Sequence, residues 1–367
     1  MRVLQIIDSL RYGGAQKLMV TYAGQAAARG VDVSVVALSS RELMPLAPQI
    51  EALGIPVASF PADKLFSMSR LSSLIKFVRD GKFSVIHSHL TYANILSGIV
   101  NVVTGVPVVS SLHSVALDTR HSHPVRDRME WLALRRAARV IAVGRSVEEA
   151  YSKLLHRRME VIPNAVNSGV ILSTQERDAI RKGIGCDSSK FILISVGRLS
   201  PDKCFDDLLR SFDIIHKQRP ETVLVVAGDG IERASLEAQT KALGLTDSVF
   251  WLGMRDDIPA LLSASDMFVS ASKREGLPIA ILEAMMAGLP LVVTNVGESA
   301  AVVGEEAGVL IEPLQPDVLA SAVLSFIADP ARLKIAGEKA RQRAEANYGA
   351  EAWFSRLLDL YNEISRH

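Results

Sequence analysis

The sequence predicts an α/β protein made of two doubly wound, Rossmann-like domains that face one another across a cleft. Short apolar strand patterns alternate with helical patterns along the whole chain, which is typical of parallel sheets covered by helices. The chain has 367 residues, more than one ordinary core accommodates, and this length favours about two domains.

The composition is that of a soluble globular protein, and no run of apolar residues is long enough to span a bilayer. The first eight residues are predicted to be a buried strand rather than a signal peptide, because Asp8 interrupts the apolar run. The two cysteines, Cys186 and Cys204, lack metal-ligand spacing. This usage favours a reducing cytoplasm and a protein without structural disulfides.

The net charge of +1 hides an uneven distribution. Residues 1–170 contain 20 Lys and Arg against 12 Asp and Glu, a net charge of +8, so the remainder carries −7. This asymmetry indicates that the first half meets an anionic surface or substrate. The alternative is that surface charge differs between the halves without any function. We expect no nucleic-acid partner.

The first half begins with a βαβ unit, in which residues 2–8 and Val31–Leu38 are strands and Gln16–Arg29 is a helix. The first turn contains Gly13 and Gly14 but lacks the G-x-G-x-x-G spacing of a dinucleotide site. The glycine pair still lets the backbone approach a ligand closely, just before a helix N-terminus. A tight turn without a ligand is the alternative.

Two basic segments of the first half could meet an anionic surface. Leu65–Lys82 is predicted to be an amphipathic helix with basic and apolar faces, which suits an anionic membrane. More often such a helix packs on a sheet with its charges solvated. Arg120–Arg145 is predicted to be an exposed loop and helix that lead into the strand Val140–Val143.

Histidines follow two neighbouring strands, predicted over residues 85–89 and 106–111. His87, His89 and His113 fall at the carboxyl ends of these strands, where open α/β sheets place ligands. A zinc site would need further ligands at defined spacing, and none is evident, so we predict no metal.

The polar segment 168–190 is predicted to be a linker, and a second α/β series follows it. Its predicted strands are Phe191–Val196, Thr222–Ala227, Val249–Leu252, Met267–Ser270, Leu291–Thr294 and Gly308–Ile311. The predicted domains are therefore residues 1–168 and 169–349. The last segment, 350–367, forms a helix without a strand partner of its own.

The stretch Val269–Thr294 is predicted to contain a strand end, a loop, a helix, a turn and a further strand. Pro278 suits the first helical position, and Gly288 closes the helix. Glu275 and Glu283 bracket the start of the helix, with seven residues between them. Free N–H groups there attract anions, so the stretch suits a ligand with hydroxyls and negative charge, such as a nucleoside diphosphate sugar. An ordinary crossover with capping acids is the alternative.

A second loop offers two cations. Gly197, Arg198 and Lys203 follow the strand Phe191–Val196 at the carboxyl edge of the second sheet. Two cations there would stabilise a diphosphate leaving group without metal. A surface pair bonded to nearby carbonyls is the alternative.

Two further loops follow strands of the second half. Gly228 begins a turn after one strand, and Gly253 and Met254 follow the next, where a base could lie against backbone and apolar side chains. Each signal is weak alone, but these loops are expected to line one edge of one sheet.

In this order the motifs resemble those of the family-4 glycosyltransferases of GT-B fold, which are retaining enzymes that use nucleotide sugars. The resemblance covers nearly the whole chain, and its strongest motif is E-x7-E, met by Glu275 and Glu283. The other matching segments are the Gly197-Arg198…Lys203 loop, the loop Gly13-Gly14-Ala15-Gln16, and Pro163-Asn-Ala-Val-Asn167.

The resemblance implies a role for each matching residue. Glu283 would bind the ribose hydroxyls, and Arg198 and Lys203 the diphosphate. Gly14 would bring an N–H to the distal phosphate from the opposite domain, and His113 would lie near the sugar and the reacting centre. Hydroxyls of the donor sugar would be held by Glu275 with the backbone of Gly276, Leu277 and Ile279, and Pro278 would belong to the same donor site. The final helix would cross back to the first domain.

The implied reaction is transfer of a hexosyl or N-acetylhexosaminyl group, with retention, from a nucleotide diphosphate sugar to a hydroxyl of a lipid-linked or glycan acceptor. UDP or GDP would be the nucleotide, no metal would be needed, and surface polysaccharide or glycoconjugate assembly would be the setting. The location would be the cytoplasm, with peripheral attachment to the cell membrane. A catalytically silent nucleotide-sugar-binding partner and a GT-B epimerase or phosphorylase are the alternatives.

Three positions depart from the family's pattern. Cys204 stands where the family usually has glycine after the lysine, and Glu298 and Ala301 stand where it has a second glycine and a later glutamate. These departures concern the local geometry of the loops.

Overall fold

The structure is a computed structural model that describes residues 1–64, 67–114 and 123–365. The chain divides into two compact units, one of Met1–Ala165 with Ala350–His367 and the other of Val166–Gly349. Each unit is a parallel sheet covered by helices, so the predicted α/β class with two Rossmann-like domains is confirmed.

The first unit holds a seven-stranded sheet of order β3-β2-β1-β4-β5-β6-β7. Its strands are β1 (Arg2–Ile7), β2 (Asp32–Ala37), β3 (Val57–Ser59), β4 (Val85–His89), β5 (Val108–Leu112), β6 (Arg139–Ala142) and β7 (Glu160–Val161). Its helices are α1 (Gly14–Ala28), a 3-10 turn (Arg41–Leu43), α2 (Ala47–Glu51), α3 (Met68–Gly81), α4 (Thr91–Thr104), α5 (Pro124–Arg136) and α6 (Arg145–Leu155). The central strands β1, β4 and β5 are buried on both faces because helices cover both sides of the sheet.

The helix after residue 349 belongs to the first unit and has no strand of its own. We number it α15 (Ala350–Ser365). It buries an apolar face in the first core, where the Tyr22 ring of α1 meets the edge of the Phe354 ring at 5.0 Å between centroids. The same face carries Tyr361, whose side chain is fully buried.

The second unit holds a six-stranded sheet of order β10-β9-β8-β11-β12-β13. Its strands are β8 (Phe191–Val196), β9 (Thr222–Ala227), β10 (Val249–Gly253), β11 (Met267–Ser270), β12 (Leu291–Thr294) and β13 (Gly308–Ile311). Its helices are α7 (Thr174–Gly183), α8 (Phe205–Gln218), α9 (Arg233–Ala242), α10 (Ile258–Ala264), α11 (Ile279–Met286), α12 (Ser299–Val303), α13 (Pro316–Ile327) and α14 (Pro330–Tyr348).

The prediction of residues 168–190 as a linker is wrong in part. Helix α7 lies within this segment and begins with a capping box, in which Ser173 and Glu176 bond each other's backbone N–H. Its buried Arg181 bonds Asp266 at 2.8 Å, and this ion pair anchors α7 to the loop before β11. The polar composition hid the helix because an arginine, not an apolar side chain, provides its most buried contact.

Other elements differ from prediction mainly at their ends. The helix predicted over Leu65–Lys82 spans Met68–Gly81, and residues 65 and 66 lie outside the described residues. The strand predicted over 106–111 spans Val108–Leu112. Arg120, the start of the predicted basic loop, also lies outside the described residues. Among the described residues, no helix is long and apolar enough to cross a bilayer.

Candidate functional site

Four loops of the second unit meet at one edge of its sheet. They follow β8, β9, β10 and β11, which are neighbours in the order β10-β9-β8-β11, so their carboxyl ends lie side by side. The predicted residues of the second half lie in these loops, at the end of β10 in the case of Gly253, or in the helix that follows β11 in the case of Ile279 and Glu283. The sheet order therefore brings together the residues that the sequence singled out there.

A close backbone contact joins the first two of these loops. A Cβ added to Gly228 would lie 1.8 Å from the carbonyl oxygen of Gly197. Gly228 also has a φ of 149°, which side chains rarely adopt, and its N–H donates to Gly253 O at 2.8 Å. Glycine at position 228 thus holds the loops after β8, β9 and β10 against one another.

An ion pair joins the loop after β8 to the loop after β11. Lys203 Nζ donates to Glu275 Oε1 at 2.5 Å, and the two side chains are only 22% and 12% exposed. A backbone bond from Lys273 N to Asp202 O, 2.9 Å long, ties the same two loops together. The ammonium and the carboxylate are therefore presented side by side at the edge of the sheet.

Asp202 adds a charge next to this pair. Burial raises the pKa of its carboxyl, but a hydrogen bond from Ser200 and the charges of Lys203 and Arg198 lower it more, so the pKa of Asp202 is below its ordinary value. Arg198 itself is exposed, so its guanidinium stands open to a ligand at this edge.

The loop after β11 leads into α11. Pro278 is predicted to be the first helical residue, but it is the N-cap, and the helix begins one residue later at Ile279. Gly288 follows the helix with the expected positive φ of 77°. Leu277, Pro278 and Ile279 are buried, while Glu283 is half-buried one turn into the helix. Gly276 O accepts from Glu298 N at 3.0 Å, so Glu298 supports the loop through its backbone.

The end of β10 and the residue after it carry an aromatic and an apolar side chain. Gly253 has a φ of 65°, and Met254 beside it is exposed. The guanidinium of Arg233 lies 5.4 Å from the centroid of the Trp251 ring and donates to Trp251 O at 3.2 Å. The segment in which we predict a base contact thus carries an exposed methionine and a tryptophan ring that packs against Arg233.

One acidic group with cation-ligand geometry lies near this edge. Cys204, Asp206 and Asp207 have ligand atoms within 4.8 Å of one another at the start of α8. Asp207 already accepts from Arg210 at 2.9 Å, so its carboxylate belongs to an ion pair on the helix.

In the first unit, Gly13 and Gly14 stand at the start of α1. Gly13 is the N-cap in an extended conformation, and its carbonyl accepts the first helical bond from Lys17 N at 2.8 Å. Gly14 is the first helical residue, so free N–H groups of α1 begin here.

The predicted histidines of the first unit lie in contact. The rings of His89 and His113 are joined between Nδ1 and Nε2 at 3.0 Å, and His87 stacks on His89 with centroids 4.2 Å apart. Burial lowers the pKa of His113 to about 4 and that of His87 to about 3, and it lowers the pKa of His89 well below its ordinary value. All three rings are therefore neutral at pH 7.

The backbone directly after His89 is strained. Leu90 has a φ of 74° and a ψ of 166°, a region that costs other residues than glycine about 1–3 kcal/mol. Such strain is concentrated at functional sites, because the surrounding structure must hold it in place. The strained residue lies directly after His89 and directly before α4.

Sequence reasoning missed Asp8 as a functional group. Leu90 has no side chain that caps α4, and Asp8 provides this cap from the end of β1, accepting from Ala93 N at 2.7 Å and from Tyr92 N at 3.4 Å. Burial raises the pKa of Asp8 to about 7 although these two N–H groups lower it, and the charge of Glu130 raises it further. Its position at a strand's carboxyl end was the available signal.

Gln5 and Tyr361 were also missed. Gln5 is a fully buried amide in the middle of β1, bonded to His89 at 2.8 Å and to Tyr361 of α15 at 3.3 Å. A lone polar residue inside an apolar strand was the only signal for Gln5. No pattern in the sequence indicated Tyr361.

Two family models match the chain one after the other. The model described as Glycosyltransferase Family 4 matches residues 12–169, and the model described as Glycosyl transferases group 1 matches residues 176–343.

Known relatives span most of the chain. A UDP-Gal:alpha-D-GlcNAc-diphosphoundecaprenol alpha-1,3-galactosyltransferase of Escherichia coli is 29% identical over 91% of this chain and 89% of its own length. A D-inositol 3-phosphate glycosyltransferase of Thermobispora bispora is 26% identical over 96% of this chain and 90% of its own length.

Solved structures share the whole fold. HepE of Anabaena, crystallised in complex with UDP-glucose, superposes with a TM-score of 0.87 at 21% identity over 99% of this chain and all of its own. Sucrose-phosphate synthase from Thermosynechococcus elongatus superposes with a TM-score of 0.82 at 21% identity over 99% of both chains.

Proposed function

The chain belongs to the family-4 glycosyltransferases of GT-B fold, and we propose that it transfers a hexosyl or N-acetylhexosaminyl group, with retention, from a nucleoside diphosphate sugar. The acceptor would be a hydroxyl of a lipid-linked or glycan molecule. One observation carries the proposal: Lys203 and Glu275 meet at the edge where four neighbouring strands of the second unit end, with Arg198 open to solvent in the same loop as Lys203.

The leaving group determines the role of the cations. As the bond between sugar and diphosphate breaks, negative charge grows on the diphosphate and positive charge on the sugar ring. Arg198 supplies a planar fork for phosphate oxygens and Lys203 a mobile point charge, so together they would stabilise the departing diphosphate. We propose on this basis that no divalent metal is needed.

The two glutamates of the motif would hold the donor. Glu283 would accept hydrogen bonds from the ribose hydroxyls, and Glu275 from hydroxyls of the sugar. With both carboxylates bound to hydroxyls, neither is placed as a nucleophile. The family resemblance implies front-face attack instead, in which the acceptor oxygen bonds to the anomeric carbon as the phosphate leaves, and a phosphate oxygen takes the acceptor's proton. Retention is the stereochemical result.

The remaining donor contacts are backbone groups and apolar side chains. Gly13 and Gly14 would offer N–H groups of α1 to the distal phosphate. Gly197, Gly228 and Gly253 would admit the nucleotide to the backbone of their loops. The other proposed contacts are Met254 for the base, Gly276, Leu277, Pro278 and Ile279 for the sugar, and His113 beside the reacting centre.

The relatives favour a UDP-linked donor and a lipid-linked acceptor. HepE was crystallised with UDP-glucose, and the Escherichia coli relative is named for UDP-galactose and a diphosphoundecaprenol-linked sugar. We therefore propose UDP before GDP, a polyprenyl-diphosphate-linked acceptor, and a place in surface polysaccharide or glycoconjugate assembly.

A panel of nucleotide sugars tests this function. UDP-glucose, UDP-galactose, UDP-N-acetylglucosamine and GDP-mannose are each incubated with the protein, and nucleotide release is followed with and without EDTA. Release from one donor that is unaffected by EDTA supports a metal-independent transferase. Binding without release would identify a silent partner, and sugar epimerisation or phosphate-dependent release would identify an epimerase or phosphorylase.

A lipid-linked acceptor implies contact with the cytoplasmic face of the membrane. Arg79 of α3 donates to Val103 O of α4 at 3.3 Å, so exposed Val102 and Val103 lie next to the C-terminal end of α3. Two further exposed bases belong to this end, Lys76 within the helix and Lys82 directly after it. An apolar patch with a basic margin suits an anionic bilayer.

Vesicle sedimentation tests this contact. We expect the protein to bind vesicles that contain phosphatidylglycerol and not those of phosphatidylcholine alone. Charge reversal of Lys76 and Lys82 to Glu should weaken binding, whereas Lys334→Glu, at an exposed position of the second unit, should not. Binding that ignores lipid charge and salt would contradict the proposal.

A further inference from the structure

Buried polar groups of the first unit form a hydrogen-bonded chain that ends at His113. Gln5 of β1 is its centre, with His89 on one side and Tyr361 on the other. His89 and His113 are the next links, 3.0 Å apart. Gln5 pairs in register with His87, and His87 and His89 point to the same face because they are two residues apart in β4.

The amide of Gln5 determines which ring nitrogens carry protons. Its Oε1 lies 2.8 Å from His89 Nε2 and can only accept, so His89 Nε2 carries the proton. In a neutral ring the other nitrogen, His89 Nδ1, is then a bare acceptor, and it accepts from His113 Nε2–H. The proton of His113 is thereby placed on Nε2, and its Nδ1 is left as a lone pair.

Helix α15 fixes the orientation of this amide. Gln5 Nε2 donates to the Tyr361 hydroxyl at 3.3 Å, and that hydroxyl is also hydrogen-bonded to His87 Nδ1 at 2.5 Å. His87 Nε2 is in turn hydrogen-bonded to Ser111 Oγ at 2.7 Å. Since Tyr361 is fully buried, the orientation of Gln5 depends on the packing of α15 in the core.

The end of the chain is an acceptor without a partner. His113 Nδ1 is buried, and within residues 1–64, 67–114 and 123–365 it has no hydrogen-bond partner. Leaving a buried acceptor unpaired costs free energy, so a ligand that donates a hydrogen bond to this atom would remove that cost on binding. A sugar hydroxyl is a donor of this kind.

We propose that Gln5 and Tyr361 are positioning residues, which hold His113 in its Nε2–H tautomer so that Nδ1 accepts a hydrogen bond from a hydroxyl of the transferred sugar. This inference rests on the proposed function, which places His113 beside that sugar. It adds the direction of the hydrogen bond and the two residues, 356 apart in sequence, that set it.

A neutral acceptor suits the chemistry of the site. The transition state of glycosyl transfer carries positive charge on the sugar ring. An imidazolium next to it would be repelled, whereas a neutral ring that accepts a hydroxyl proton orients the sugar without adding charge. Burial keeps the pKa of His113 at about 4, which leaves the ring neutral over the range in which an enzyme works.

NMR of the full chain with 15N-labelled histidine tests the tautomer directly. At pH 7, without ligand, we expect His89 and His113 each to carry the proton on Nε2 and to show an unprotonated Nδ1, with assignments from single histidine variants. A proton on His113 Nδ1 would overturn the inference. This measurement needs no turnover, so it decides the tautomer even if no donor is used and the proposed function fails.

Two variants test the positioning role. Gln5→Leu and Tyr361→Phe should give mixed tautomers at His113 and lower kcat about 10–100-fold with the best donor of the panel, the loss typical when the partner that orients a metal-bound histidine is removed. UDP binding, measured by calorimetry, should stay the same because the residues proposed to contact it directly are unchanged.

Ser110→Ala is the matched control. It removes a buried hydroxyl of β5 that bonds Ser88 at 3.0 Å and does not contact Gln5. Its kcat and its histidine spectrum should match those of the wild type. If Tyr361→Phe, folded and binding UDP, turns over as fast as Ser110→Ala, the positioning role is overturned.

Discussion

Lys203 Nζ and Glu275 Oε1 lie 2.5 Å apart, although 72 residues separate them in sequence. The pair joins the loop after β8 to the loop after β11, and both side chains are mostly buried. In the proposed reaction the two groups bind different parts of the donor, the diphosphate and the sugar. Donor binding would therefore exchange this ion pair for two separate contacts, each to a part of the ligand.

We predict that Lys203→Ala lowers kcat about 100- to 1,000-fold, because it removes a charge that stabilises the departing diphosphate. Nucleotide release from the donor identified by the panel is the measurement. Lys217→Ala is the control, since Lys217 forms an exposed ion pair with Asp213 on α8 of the same unit. Turnover of Lys203→Ala within a few-fold of that control would contradict the role.

For Glu283 we predict an effect on nucleotide affinity. Glu283→Ala should weaken UDP binding about tenfold or more, since a hydrogen bond to a charged group contributes roughly 1.5–3 kcal/mol. Isothermal titration with UDP measures this, with Glu338→Ala on the exposed face of α14 as control. Equal UDP affinities for the two variants would show that Glu283 does not bind the ribose.

A structural prediction concerns Gly228. Gly228→Ala should destabilise the protein by roughly 2 kcal/mol or more, because the added Cβ would lie 1.8 Å from Gly197 O and the φ of 149° disfavours a side chain. Urea unfolding provides the value. Gly183→Ala at the end of α7 has no atom within 4 Å of the new Cβ and should be nearly neutral. Similar stabilities for the two would show that the loops separate without cost.

Asp8 should make stability fall as the pH rises. Its pKa is about 7 in the folded chain against 3.8 as the ordinary value, so between these pH values the folded state holds a proton that the unfolded state has released. Stability then falls with rising pH by up to about 1.4 kcal/mol per pH unit. Asp8→Asn keeps an acceptor for Ala93 N and should remove this fall, which thermal unfolding at pH 5 and pH 8 would detect. A pH profile that is unchanged in the variant would contradict the buried-acid assignment.

The three histidines should act in the opposite direction. They stay neutral in the folded chain, with a pKa of about 4 for His113 and about 3 for His87, while the unfolded chain takes up protons below pH 6.5. Stability should therefore be lost as the pH falls from about 6.5 towards 4, by up to about 1.4 kcal/mol per pH unit for each ring. In the Asp8→Asn background, His87→Gln should reduce the loss of stability per pH unit by the contribution of one imidazole ring. An unchanged slope would mean that His87 is protonated in the folded state.

Local patterns in the sequence predicted most strands and helices and the motif residues of the second unit. Strand β9 is a continuous run of β-branched and apolar residues, and Gly288 marks the end of α11. These signals depend on neighbours in sequence, which is why they can be read without a structure. They failed at α7, whose buried contact is an arginine rather than an apolar side chain.

Only the tertiary structure decided which of these residues meet. The order β10-β9-β8-β11 places Lys203 against Glu275, and the packing of α15 places Tyr361 against Gln5, 356 residues away in sequence. The sequence by itself determined the two domains, the family resemblance and the residues of its motifs. The ion pair, the cap that Asp8 provides and the tautomer of His113 depend on hydrogen bonds between distant segments, and no local periodicity encodes the partner of such a bond.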